Sequence, residues 1–157
     1  MTLNNVNITD SQASFGSGVA ALRTNSTLEN VVFKNNHADY NGGAIYHFYG
    51  NLSADNNQFI KNTADNGGAI YLNTVNTDKF QSSTFTQNTA LKGKDIYVMS
   101  KDKSNNIPSV SADIYTTDHP EYFISNSNYV MMKGNYTSDG KLPSKYNSAD
   151  YGYVTPV

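Results

Sequence analysis

The sequence predicts an all-β chain: a parallel β-helix of about four coils of 25–26 residues, ending in an irregular C-terminal tail. Three observations predict this. Particular side chains recur at a nearly constant period, the runs between them alternate with the two-residue period of strands, and the composition is too polar for a thick core. Asn, Ser and Thr number 22, 16 and 14 of the 157 residues, and charged residues make up only 15%. A stack of short strands tolerates such a composition. Neighbouring coils, about 4.8 Å apart, satisfy one another's backbone and need only a narrow apolar interior.

The first column is Ile8, Phe33, Phe59 and Phe85, spaced 25, 26 and 26. Ahead of it, Leu3-x-x-Val6-x-Ile8 and Leu28-x-x-Val31-x-Phe33 open two coils in the same register. Three residues past the column stand Ser11, Asn36, Asn62 and Asn88, and five past it Ala13, Ala38, Ala64 and Ala90. Asn tolerates left-handed backbone and its amides bond along a stack, so Asn36, Asn62 and Asn88 are expected to form a turn ladder.

The second half of each unit gives Gly18, Gly43, Gly68 and Lys94, then Ala20, Ile45, Ile70 and Ile96, with Ala21, Tyr46, Tyr71 and Tyr97 next. Strand alternation sends the Ile column and the Tyr column to opposite faces. One inward column degrades, Val6 and Val31 giving way to Asn57 and Ser83. That side is expected to be shallower or wetter at the later coils. Leucine-rich and helical repeats share this range of period. Leu is too scarce for the former, and the latter would need a 3.6-residue apolar stripe that is missing.

The composition shifts near residue 100. All four Pro and seven of the twelve Tyr lie beyond it, and both Gly-Gly pairs before it. Residues 1–100 therefore read as the repeat body, 101–141 as a linker and 142–157 as a separate segment.

Several function classes are disfavoured. A net charge of −2 with no clustered basic face argues against nucleic-acid binding. No apolar run approaches the roughly 18 residues of a membrane span. Without Cys there is no disulfide, thiolate metal site or cysteine nucleophile, and no cofactor motif is present. Asp39 and Asp65 share a repeat column, and two close carboxylates could hydrolyse a glycoside or hold a hard cation. However, Leu91 follows them in that column, and turn Asp residues commonly serve local backbone bonding. A polysaccharide-acting β-helix is thus a lesser alternative. His37, His47 and His119 share no column and no ligand spacing, so they read as surface or partly packed residues. Tyr46, Tyr71 and Tyr97 could stack on sugar rings or meet a partner, or simply stiffen the coil by stacking on one another. Asn7, Asn25, Asn51 and Asn135 head glycosylation sequons, as expected often by chance in so Asn- and Thr-rich a chain.

Gly-Gly-Ala-Ile at 42–45 and 67–70, preceded by Phe-x-x-Asn at 33–36, 59–62 and 85–88, resembles the repeats of polymorphic outer-membrane proteins and of adhesin-like surface proteins of methanogenic archaea. The resemblance covers about 100 residues and implies a right-handed parallel β-helix displayed outside the cell. It implies adhesion to a surface glycan or protein, and no enzyme chemistry. The last copy departs, reading Gly93-Lys94-Asp95-Ile96, as a degenerate terminal coil would.

Leu142-Pro and Gly152-Tyr-Val-Thr-Pro-Val157 resemble the start of the mature domain of papain-like cysteine peptidases, although Tyr146-Asn-Ser-Ala149 departs from that pattern. The resemblance implies a longer parent whose catalytic residues would follow Val157. The chain itself is expected to be an inactive piece of a larger exported protein with further coils.

Overall fold

The computed structural model describes residues 1–79, 82–99, 112 and 114–116. It is built from β-strands: β1 (Thr2–Asn4), β2 (Asn7–Thr9), β3 (Gln12–Phe15), β4 (Val19–Leu22), β5 (Ser26–Glu29), β6 (Val32–Lys34), β7 (His37–Asn41), β8 (Ile45–Asp55), β9 (Gln58–Ile60), β10 (Ile70–Lys79), β11 (Thr84–Thr86), β12 (Ile96–Met99) and β13 (Ile114–Thr116). Strands from successive coils pair in parallel. One sheet runs β1-β5-β8-β10-β12-β13 with β4 also on β8, a second runs β11-β9-β6-β2, and a third pairs β3 with β7. Bridges from His37 to Thr63 and from Thr63 to Thr89 carry the third sheet on through later coils. This is the parallel β-helix of about four coils. Of the proposed linker only 112 and 114–116 are described, where β13 continues the first sheet on β12; the segment 142–157, with Asn135 and His119, lies outside the described residues.

Each coil turns through left-handed residues that form their own columns. Asn5, Asn30, Asn56 and Ser82 mark one corner, Asp10, Asn35, Lys61 and Gln87 the next, and Gly16, Gly42, Gly67 and Gly93 a third, all with φ between 50° and 67°. Arg23, Tyr49 and Thr74 mark a fourth. The left-handed residue of the second corner is the one before each ladder Asn. Asn36, Asn62 and Asn88 are not the turn residues; they point inward and are buried.

The two glycines of each pair do different work. Gly42 and Gly67 supply positive φ, whereas a Cβ on Gly43 would lie 2.1 Å from the Gly68 carbonyl oxygen and 2.5 Å from that of Thr63. Lys94 stands where Gly43 and Gly68 stand in earlier coils, and its carbonyl oxygen in turn crowds Gly68.

The register of the first coil departs from the expected columns. Ile8 pairs with Phe33 at a spacing of 25, but Val19 pairs with Ile45 and Ala20 with Tyr46, at 26. The shift enters between Ala13 and Phe15, which pair with Ala38 and Asn41. Asp39 and Tyr40 together therefore oppose Ser14, a β-bulge on β7. Val19, not Ala20, heads the Ile45/Ile70/Ile96 column, and Ala20, not Ala21, heads the Tyr column. Because a one-residue slip exchanges the two faces, this places Val19 and Ala21 inside and leaves Ala20 and Leu22 exposed.

The interior is a set of stacked columns. Phe33 lies 5.1 Å from Phe59 with the rings 1° from parallel, and Phe59 lies 4.8 Å from Phe85. Val19, Ile45, Ile70 and Ile96 fill the opposite wall. The polar residues of the degraded column are buried and hydrogen-bonded to backbone. Asn57 is fully buried, accepting from the Val31 N–H at 2.9 Å and donating to the Leu28 carbonyl at 3.0 Å. Ser83 is buried and donates to the Ala54 carbonyl at 3.0 Å. This corrects the expectation of a shallower or wetter side: the side-chain amide and hydroxyl replace apolar volume with hydrogen bonds that the inner backbone would otherwise lack.

Candidate binding surface

The repeat columns explain why the coil stacks, and the side chains outside them show where it can act. On the outer face of the first sheet, Tyr46 stacks on Tyr71 at 5.3 Å and Tyr71 on Tyr97 at 5.0 Å, with rings within 12° of parallel. Tyr71 and Tyr97 are buried and Tyr46 is half-buried. Burial pushes the Tyr46 and Tyr71 phenols above their usual range, Tyr46 adding to the effect at Tyr71. The ladder is therefore self-stacked, and its accessible part is the Tyr46 end.

There the repeat breaks down. Phe15 from β3 lies 5.4 Å from both Tyr46 and Tyr40, and Tyr40 is one of the two residues of the β7 bulge. Along β8, Phe48 shares the face of Tyr46 with its ring 4° from parallel, and Tyr49 meets Phe48 edge-on at 4.6 Å. Leu22 pairs with Phe48 across the coils, and the Arg23 guanidinium sits 5.8 Å over the Tyr49 ring. Phe15, Leu22, Tyr40 and Tyr49 are 44%, 63%, 54% and 37% exposed. They make up four of the six large apolar side chains exposed among the described residues, gathered on one surface. Repeat analysis passes over these residues because none of them recurs. Setting the column positions aside and marking the aromatic residues left over would have found them.

The other sequence candidates take varied surroundings. Asp39 accepts from the Ser14 hydroxyl at 3.3 Å and lies 3.6 Å from the His37 ring, half exposed. Asp65 is exposed. Among the described residues no group of three or more His, Asp or Glu is placed to hold a metal. Asn7, Asn25 and Asn51 are exposed, and the Asn25 side-chain oxygen accepts from the Asn51 N–H at 3.1 Å, putting those two sequons on adjacent coils. His47 is fully buried rather than partly packed, in a column with Ala21, Leu72 and Val98, its Nε2 3.0 Å from the Ser26 hydroxyl. The small Ala21 below it leaves the ring room. No helix of the described residues is long and apolar enough to cross a membrane.

The family model for the Chlamydia polymorphic membrane protein repeat matches residues 30–47 and 58–73. Each match spans a Phe-x-x-Asn corner and a Gly-Gly-Ala-Ile strand entrance, the stacking elements of two successive coils. These segments are polymorphic-membrane-protein-like β-helix repeats. No curated protein and no solved structure matches the chain.

Proposed function

We propose that the chain is a non-catalytic β-helix module of an extracellular, adhesin-like surface protein, serving as spacer and binding element. The matched repeats support this reading. The observation that carries it is a division of labour: the matched Phe, Asn and Gly positions are spent on stacking, while outward residues that do not recur from coil to coil carry the exposed aromatic surface. A rigid scaffold with a variable outer face suits display. The alternative reading, an N-terminal appendage of a papain-like cysteine peptidase, rests on the resemblance of Gly152-Tyr-Val-Thr-Pro-Val157 alone.

Antibody against residues 1–100, applied to intact cells of the source organism, should label the surface, and protease shaving should remove the signal. Labelling only after permeabilisation would overturn the surface reading.

A further inference from the structure

At two corners of the coil, five of the eight left-handed residues are Asn or Asp, which enter that backbone at least cost among side-chain-bearing residues. The corner of Arg23, Tyr49 and Thr74 is not, with φ of 50°, 56° and 55°. A bulky ring such as Tyr49 in that region is a genuine outlier. Strained residues of this kind persist where the surroundings hold them, and they concentrate at functional sites. Directly after Tyr49, Gly50 passes so close to the first coil that a Cβ would lie 2.1 Å from the Thr24 carbonyl oxygen. The chain thus accepts strain at Arg23 and Tyr49 and packs the corner tightly, while neither side chain adds to the interior. What the two strained residues do is meet each other: the guanidinium lies over the exposed phenol ring.

Charge points to the occupant. Arg23 is the only Arg of the chain, is exposed, and forms no ion pair among the described residues. It closes one end of an aromatic strip that continues through Phe48, Tyr46 and Phe15 to Tyr40. At the other end Asp39, with Ser14 bound to it, offers oxygen acceptors to hydroxyl groups. Apolar rings flanked by a free guanidinium and by a carboxylate suit a ligand with C–H faces, hydroxyls and its own carboxylate. The strip is small. It crosses two coils and a few residues of β8, roughly 10 Å by 20 Å, against the roughly 800 Å² per partner of an ordinary protein interface. That size accommodates a few sugar rings.

We propose that this surface binds acidic saccharides of the uronic-acid class, Arg23 holding the sugar carboxylate while the rings of Phe15, Tyr40 and Tyr49 cover the sugar faces. This rests on the adhesin-like reading and gives it a ligand class.

The test titrates the full chain calorimetrically with a hexagalacturonate and with a hyaluronan hexasaccharide, each beside its carboxyl-methylated form. At least one acid should bind, and its ester should bind about tenfold more weakly or worse, as expected for loss of a charge-assisted hydrogen bond. Arg23→Asn should abolish the preference for the acid while leaving the melting temperature unchanged or higher, because Asn suits the left-handed backbone. Phe15→Ala and Tyr40→Ala should weaken acid and ester by similar factors. No binding of either acid, or equal binding of acid and ester, would overturn the proposal. Adhesion of the chain to cells stripped of acidic glycans, unchanged by Arg23→Asn, would assign adhesion to a protein partner; the adhesin-like reading would then stand and the saccharide site would fall.

Discussion

The Asn36 side-chain amide donates to the Asn62 side-chain oxygen across 3.0 Å, and both side chains are fully buried. That oxygen also accepts from the Asn36 N–H at 3.1 Å, while the Asn62 amide donates to the Phe33 carbonyl at 3.0 Å and to Asn88 at 3.1 Å. Each Asn therefore does for the backbone at a corner what a ladder pairing does along a strand. In the fourth coil, Asn88 donates to Asp95 at 2.9 Å. Asn62→Ala should strand several buried polar groups at once and cost at least about 3 kcal/mol. Gln58→Ala, on the exposed side of β9, should stay within about 0.5 kcal/mol. Urea unfolding of the two variants decides it.

The Phe column should show graded costs. Phe33 and Phe59 are fully buried, Phe59 between two rings and Phe33 between Ile8 and Phe59, whereas Phe85 is only partly buried. Phe59→Ala should cost about 3–5 kcal/mol, and Phe85→Ala clearly less. Equal costs by chemical denaturation would mean that the outer coil is as well packed as the inner ones.

Periodicity made the coil legible, since a Phe, an Asn and a Gly repeating together leave few architectures that could use them. It failed where a single residue departs from the period. The run Val19-Ala-Ala-Leu22 is apolar throughout, so it has no alternation to say which side chains face inward, and the β7 bulge moved the answer by one position. Asn57 and Ser83 misled in another way: polar types in an inward column suggest water, but in a β-helix the adjacent coil supplies carbonyls and N–H groups at hydrogen-bonding distance. The aromatic strip was illegible for the reason that makes it of interest. Phe15 and Tyr40 belong to no column, the corner column of Tyr49 holds no other aromatic residue, and only the fold brings the three together.

Glycine tolerance should follow the crowding between coils. Gly43→Ala would drive a methyl group into backbone oxygens of the next coil that cannot move without unstacking, so the variant should lose the folded state or melt far lower. Lys94→Ala, at the equivalent position in the last of the four repeats, keeps a Cβ the site already holds and should melt far closer to the parent than Gly43→Ala does. Circular-dichroism melting of both variants makes the comparison.

Acid should weaken the fold through His47. Burial, and then the Met1 ammonium, lower its pKa from 6.5 to about 4. Its Nε2 faces the Ser26 hydroxyl and its Nδ1 is buried without a partner, so the folded chain holds the ring neutral and has no acceptor waiting for a second proton. The unfolded chain binds that proton near pH 6.5. Above pH 6.5 both states carry a neutral ring and the fold keeps its full stability. Between pH 6.5 and about 4 the unfolded state takes up a proton that the folded state refuses, so stability falls with decreasing pH, by up to about 3 kcal/mol. Below that window both states are protonated and this contribution levels off. His47→Leu combined with Ser26→Ala removes the titrating ring together with the hydroxyl it would leave unpaired. The double variant should lose the decline in urea midpoint between pH 6.5 and 4 while keeping any slope from the carboxylates below it. An unchanged decline would assign the acid sensitivity to other groups.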